Sequence, residues 1–468
     1  MTLRKFLYDH ADVGDLHPSP RVMIPAQIPY VLDDDFRPIE EINSWLRSLP
    51  MRGSYSPRTW SGYADDVLAW CKFIASRELG VFDPVDRLET ALAEYRELRL
   101  YGGPGAEFNV LGTTAWNRAV AALENFYSWA LESERVDAKP FRYRQVRLPQ
   151  GVSANWFAKK NLAKARTGSI LATLKYLAPD YADLFVDVGL GGNLPTGDPD
   201  LRFRGRLAVR NRAVGSLVRA SGLRRQEFSN LLVWEVPERL DAFSDYRAFF
   251  VSPTIAKGAR ARATWISADA LKAVHTYMDV ERNTAVSNSR WMPEGPLMVR
   301  EPDAQGAVIV GRRIAWSKLT INQRRRLVTP EGGSGLLFVA GSGAPVGENN
   351  WRYTFDTAAE RCRTFASDFP DVSPHMLRHT FAMETLRTLT RNALSRAELL
   401  ARVSGEDPLL IAILRRKDPL LILRDFLGHA YLKTTEAYLV AQDPASIFTE
   451  VEVALLAEDD ESDRALIS

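Results

Sequence analysis

Cysteine is scarce: Cys71 and Cys362 are the only two in 468 residues, and they lie far apart in sequence. No disulfide framework can be built from them, so a reducing compartment, the cytoplasm, is the expectation. Each falls within an apolar helical pattern and reads as a small buried residue. Histidine is scarce as well, at six. No ligand-spaced cluster of histidine and cysteine exists, so no metal site is expected. Long apolar runs are missing too: the most apolar stretch, residues 409–427, is broken by Arg415-Arg416-Lys417-Asp418-Pro419 and cannot span a bilayer. The N-terminus, Met1-Thr2-Leu3-Arg4-Lys5, lacks the apolar segment of a signal peptide. Nor is one sign of charge in large excess, with 60 Lys and Arg against 58 Asp and Glu.

What is present is the composition of a soluble globular protein, 46% hydrophobic and 25% charged. The chain is too long for one ordinary core, so two or more domains are expected. The charge balance hides an asymmetry. Residues 449–468 hold seven acidic side chains and one basic one, Arg464. That tail nets −6, which with the overall +2 leaves +8 on the rest, a basic body with an acidic tail.

Residues 1–36, rich in Pro and Asp and without periodicity, read as a loose arm. Ser56-Pro57 then starts a helix with Trp60, Tyr63, Val67, Trp70, Cys71 and Ile74 at helical spacing. A second begins at Thr113-Thr114 and places Trp116, Val120, Leu123, Phe126, Tyr127 and Leu131 on one face. With weaker helices near Ile39 to Leu49 and Leu88 to Leu98, this predicts an all-helical N-terminal domain. It ends near Pro140, where Lys139-Pro140 and Leu148-Pro149 mark an extended linker. The remainder mixes helices with short strands, including a hairpin of residues 248–255 and 261–266 joined by Lys257-Gly258-Ala259-Arg260. The Asp407-Pro408-Leu409-Leu410-Ile411 segment recurs at Asp418-Pro419-Leu420-Leu421-Ile422, each copy a helix start.

Four segments carry chemistry. Ser373-Pro374 begins a helix on which His375, Arg378 and His379 share a face, while Leu377 and Phe381 point the other way. A guanidinium fork and an imidazole at a helix start suit an anion, although a solvated helix start would look the same. Ser221-Gly222-Leu223-Arg224-Arg225-Gln226-Glu227 adds an arginine after a glycine break, with a carboxylate three residues on to hold it. Such a pair is equally common as exposed surface chemistry. Lys257 sits at a hairpin tip, an ordinary place for a lysine. Finally, Leu427-Gly428-His429 is followed nine residues later by Tyr438, behind Thr434-Thr435, which can start a short helix. Alone, Tyr438 reads as a packed aromatic. Together, two arginines, a lysine, histidines and a tyrosine are what phosphoryl transfer to a phenol needs without a metal.

In these boxes the chain resembles a tyrosine recombinase of the phage integrase family, over roughly residues 37–445. The resemblance implies a mostly α fold with a small antiparallel β-sheet: a helical core-binding (SAM-like) domain at 37–145, then a mixed α+β catalytic domain at 160–445. Residues 446–468 would form a C-terminal helix, begun by Asp443-Pro444, and the acidic tail. Carried over position by position, Arg224 is the first catalytic arginine with Glu227 its supporting acid, and Lys257 is the general acid for the 5′-oxygen. His375 is the acid/base, Arg378 the second arginine and His379 a supporting residue. His429 donates to a phosphate oxygen and Tyr438 is the nucleophile. The implied reaction is site-specific recombination of double-stranded DNA at paired sites through a 3′-phosphotyrosyl intermediate, for integration or excision of a mobile element. It needs neither cofactor nor metal. The implied assembly is a homo-tetramer that clamps DNA between the domains; accessory directionality proteins remain an open partner class.

The chain departs from the family pattern in places. Arg378 and His429 are 51 positions apart, about twice the expected spacing, which points to an insertion near 390–417. A second insertion is expected near 284–329, where Arg312-Arg313 and Arg324-Arg325-Arg326 would contact phosphates or face solvent. Arg225 leaves the first arginine open by one residue. Two other readings remain: a type IB topoisomerase-like enzyme that nicks and reseals one duplex, and a catalytically silent DNA-binding protein of the same fold.

Overall fold

The computed structural model describes residues 3–8, 25, 27–54, 56–103, 108–147, 157–166, 175–239, 245–390 and 418–441. The chain divides into two compact units, Met1–Gly168 and Ser169–Ser468. Half-helical with small sheets, it has a helical N-terminal domain followed by a mixed α+β domain. Among the described residues, no helix is long and apolar enough to cross a membrane.

In the first unit, helices α1 (Glu40–Ser48), α2 (Pro57–Ala75), α3 (Val85–Tyr101) and α4 (Thr113–Glu132) pack their apolar faces into one core. Trp45, Trp70, Trp116, Phe126 and Tyr127 lie at or near zero exposure. The Trp70 indole donates to the Tyr127 hydroxyl at 2.9 Å, satisfying a polar atom that burial would otherwise penalise. Arg118 grips Asp66 with two bonds of 2.9 Å and so ties α4 to α2.

This unit is not all-helical, and the described parts of the expected arm and linker include strands. Strand β1 (Arg4–Leu7) pairs antiparallel with β2 (Pro29–Leu32), and Ile28 and Val31 enter the helical core. Parts of the expected arm are therefore a sheet edge that buries apolar side chains, although their sequence shows no period. The expected linker likewise begins as strand β3 (Tyr143–Arg147), paired with β4 (Phe157–Asn161). The chain after β4 is stapled to α4, with Trp116 donating to the Ala163 carbonyl at 2.8 Å and Asn117 exchanging two bonds with Ala165. Pro140 thus does not end the unit. Leu148-Pro149 lie outside the described residues.

In the second unit, α5 (Pro179–Asp183) runs into a π-helical segment, Leu184–Leu190, and is followed by α6 (Ala208–Ser221) and the short α7 (Arg225–Ser229). Strands β5 (Tyr246–Val251) and β6 (Arg262–Ser267) form the expected hairpin, with Val251 opposite Arg262. Then come α8 (Ala268–Tyr277) and α9 (Asn283–Ser287). A small sheet follows, β7 (Leu297–Arg300), β8 (Gly306–Ile309), β9 (Arg312–Ala315) and, after α10 (Ile321–Arg325), β10 (Leu327–Val328), in the order β10-β7-β8-β9. Its β7–β10 pair is parallel. Helices α11 (Asn350–Arg363), α12 (Pro374–Thr390), α13 (Pro419–Leu427) and α14 (Lys433–Ala441) complete the unit.

The expected 284–329 segment is this sheet, and one of its arginines behaves unlike a phosphate contact. Arg324 is fully buried and bonds both Glu235 oxygens, at 2.6 and 2.8 Å, as well as the Trp316 carbonyl. A planar fork held on three sides is a structural clamp. Arg325 pairs with Glu348 and Arg313 with Asp303. The expected insertion at 390–417 lies, apart from Thr390, outside the described residues, as do the first Asp-Pro copy at 407 and the C-terminal segment at 446–468. Both cysteines are buried, and burial pushes each thiol up to about 12.

Candidate active site

Three chain turns meet in the second unit. The first is Gly222, which ends α6 in the left-handed region at φ +63°; a Cβ there would fall 2.4 Å from Phe381. Only glycine fits both demands. Leu223 is then buried, and Arg224 caps α7: its backbone N–H donates to Glu227 at 2.7 Å and its guanidinium at 3.0 Å.

The second is the β5–β6 turn. Lys257 is exposed in a single 3-10 turn with Gly258 at φ +74°. The lysine charge is felt at His375, whose pKa it helps to lower. The third is the end of α13, where Gly428 takes φ +62° and its N–H returns to the carbonyls of Arg424 and Asp425. The helix starts as its sequence demands, Asp418 accepting from Leu420 N at 2.8 Å with Pro419 in the first turn.

Helix α12 packs against α6 and α13, whose ends form the first and third of these turns. Ser373 accepts from Met376 N at 3.3 Å, and the helix then presents His375, exposed, Arg378, 1% exposed, and His379, half-buried. Arg378 donates to the Gly222 carbonyl and, at 2.5 Å, to the Leu427 carbonyl, so it bonds two of the three turns. Burial, together with the Arg224 and Arg262 charges, holds its pKa below an ordinary arginine's. It remains a cation at neutral pH.

Tyr438, on α14, is 2% exposed in an apolar cluster with Trp265, Phe381 and Phe426. Its hydroxyl lies 2.7 Å from His379 Nδ1. The His429 ring lies parallel to the phenol, 7° between planes and 6.4 Å between centroids. His375 packs edge-on against His379 at 4.3 Å. Burial pushes the Tyr438 pKa up, opposed by the Arg378 and Arg224 charges. Burial and neighbouring charges hold His379 at about 4 and His429 at about 3, so both rings are neutral near pH 7. A neutral His379 can accept the phenolic proton. The threonine expected to start the last helix does something else: Thr435, buried, has its hydroxyl 3.0 Å from His429 Nδ1 and fixes that ring.

Every residue singled out in the sequence has a place in the unit. Arg224, His375, Arg378, His379, His429 and Tyr438 converge, Glu227 sits beneath them, and Lys257 stands at the rim. The Arg224 charge, and not that of Arg225, acts on His375, Arg378, His429 and Tyr438.

Sequence reasoning missed Arg262. It donates to both Glu227 oxygens, at 2.6 and 2.7 Å, and through Nε to the Phe426 carbonyl at 2.9 Å. Burial would raise the Glu227 carboxyl, but the Arg262 bonds outweigh it and hold the group at about 2. Glu227 is therefore shared between a rim arginine and a buried one. The signal was strand alternation: Arg262 shares a face with Thr264 and Ile266, both fully buried.

The sequence pattern described as the phage integrase family matches residues 201–389, and that described as the phage integrase N-terminal SAM-like domain matches residues 42–134. Together they cover more than half of the chain. A search of curated protein sequences finds no match. Among solved structures, the chain is similar to XerH site-specific recombinase bound to difH substrate in a pre-cleavage complex (15% identity, 89% of this chain and 85% of that one, TM-score 0.44). It is also similar to the Tn1549 transposon integrase in complex with circular intermediate DNA (13%, 87% and 97%, TM-score 0.45). XerA recombinase gives 16% identity over 88% of this chain and 98% of that one, with TM-score 0.33.

Proposed function

The chain belongs to the phage integrase family of DNA strand-breaking and rejoining enzymes, and from this we infer that Tyr438 is the nucleophile of a site-specific recombinase acting on paired duplex sites of a mobile element. The observation that carries the assignment is the phenol itself: an otherwise buried tyrosine whose hydroxyl meets a neutral imidazole, within the field of two arginines.

In this reading Tyr438 leaves its apolar seat and attacks a scissile phosphodiester. The phenolic oxygen bonds to phosphorus and its proton passes to an imidazole. His379 already holds that hydroxyl, with His375 against it. Arg224 and Arg378 neutralise the five-coordinate phosphorus, and His429 donates to a non-bridging oxygen. Lys257 protonates the departing 5′-oxygen. The product is a 3′-phosphotyrosine, which a 5′-hydroxyl of the partner duplex then displaces, so the bond energy is retained and no cofactor is consumed. Work as a homo-tetramer in the cytoplasm belongs to the same reading.

The test is a duplex nicked close to the cleavage point, which loses the short strand and traps the adduct. Wild-type protein is expected to form a covalent protein–DNA species. Tyr438→Phe abolishes it at a stability cost of about 0.5–1.5 kcal/mol for the lost hydrogen bond. An adduct that survives this change places the nucleophile elsewhere. Strand exchange between paired sites separates recombination from nicking and closing of one duplex.

A further inference from the structure

The β3–β4 hairpin lies outside both ranges that match the family, between residues 134 and 201. It walls a pocket of about 660 Å3 against the end of α3 and the start of α4. Its lining is strongly basic, with Arg96, Arg144, Lys160, Lys164 and Arg166. Two of these are set directly opposite each other: in the hairpin register Arg144 faces Lys160. Like charges so placed repel. Neither makes an ion pair among the described residues.

Two further features point to an anion. Gly112 caps α4 without a side-chain hydrogen bond, so the first N–H groups of this 20-residue helix have no side-chain acceptor at the cap, and Gly112 and Thr113 line the pocket. Asn161 also lines it and is only 3% exposed, yet among the described residues its amide Nδ2 has no partner. The other end of that amide is fixed, Oδ1 accepting from Ala163 N at 2.9 Å, so the donor cannot turn away without losing this bond. Arg96 Nε is a second buried donor in the same wall without a partner among the described residues. The bonds from Trp116 and Asn117 to Ala163 and Ala165 hold the wall rigid. A buried amide donor without an acceptor is destabilising, and an anionic oxygen would relieve it.

We propose that this pocket is a seat for one phosphodiester of the duplex backbone, held by the α4 N-terminus, Asn161 and the Arg144–Lys160 pair. It supplies a positioning contact in the N-terminal unit, distinct from the site of strand cleavage, and rests on the reading that the chain acts on duplex DNA. A phosphate contact carries no sequence information by itself but fixes register on the duplex.

The full chain is titrated with a short fluorescent duplex of arbitrary sequence over a series of salt concentrations. Arg144→Gln with Lys160→Gln changes only exposed side chains. It is expected to weaken binding roughly tenfold and to flatten the dependence of log K on log salt by about 1 to 2 units. Asn161→Asp, which keeps the bond to Ala163 and puts a carboxylate where the donor was, is expected to weaken binding at least as much. Binding and salt slope equal to wild type in both variants overturn the proposal. So does a result in which inorganic phosphate raises the melting temperature of wild type but not of the double variant, while duplex binding is the same in both, because the pocket then serves a free anion. If wild type neither binds duplex nor forms the Tyr438 adduct, the recombinase reading itself has failed. If wild type forms the adduct and the salt slope does not change, only the pocket has.

Discussion

Replacing Arg262 by methionine tests the buried network beneath the site. The change removes two bonds to Glu227 and one to the Phe426 carbonyl, and leaves a fully buried carboxylate held by Arg224 alone at 3.0 Å. Breaking a buried pair by deleting one partner costs about 3–5 kcal/mol, because the remaining charge stays desolvated. Glu227→Leu in the same background removes that charge, so the double variant is expected to recover about 2–3 kcal/mol of the summed loss. Denaturant unfolding of the four proteins gives the cycle. Activity separates positioning from stability. On a nicked duplex whose scissile 5′-oxygen is replaced by sulfur, the leaving thiolate needs no proton. Lys257→Ala should therefore lose the adduct on the oxygen substrate and regain it on the sulfur one. Arg262→Met should fail on both, since it loosens Arg224 and the turn before His429 rather than the proton donor. A loss under about 1 kcal/mol, or adduct formation at the wild-type rate, would refute the role assigned to Arg262.

Two other outcomes follow from the same geometry. His379 and His429 are neutral in the folded chain with depressed pKa values of about 4 and 3. The unfolded chain binds protons first, so stability falls as pH drops below about 6.5, on the order of 1.4 kcal/mol per pH unit for each ring, down to those folded values. Unfolding curves between pH 7 and 4 measure it, and His429→Gln should flatten them; Glu227, depressed to about 2, contributes its own loss only below the ordinary carboxyl range. Arg324→Met isolates Glu235 and should cost about 3–5 kcal/mol without altering the salt dependence of DNA binding, since Arg324 is fully buried. A shallower slope would return it to the phosphate contacts.

The site was legible wherever chemistry and local conformation coincide in a short segment. Ser373-Pro374 and Asp418-Pro419 announce helix starts, Gly222 and Gly428 announce left-handed ends, and the candidate side chains follow at fixed offsets. Arg262 was harder to read because its partners, Glu227 and Phe426, are far away in sequence, and an arginine at a strand start looks like any surface cation. Arg324 was misjudged for a related reason: a run of three arginines suggests an exposed basic patch, but helix periodicity turns one of them inward onto Glu235. The N-terminal strands lacked signal because β1 and β2 are each four residues long, too short for alternation to show. The two helices with the strongest aromatic periodicity, α2 and α4, were read with nearly their observed limits.

Arg378 and Arg262 grip main-chain oxygens, at Leu427 and Phe426, and neither bond depends on which side chain stands there. A change of either side chain would act through the apolar cluster that both belong to, not through these bonds. The same arrangement gives the chain a fixed post and a short leash. The end of α13 is pinned, Gly428 is the swivel, and the segment from His429 to Tyr438 is the length of rope. What keeps the phenol at rest is its hydrogen bond to His379 and an apolar seat, so under the proposed function its reach is set by a distance along the chain, and its release by one proton position.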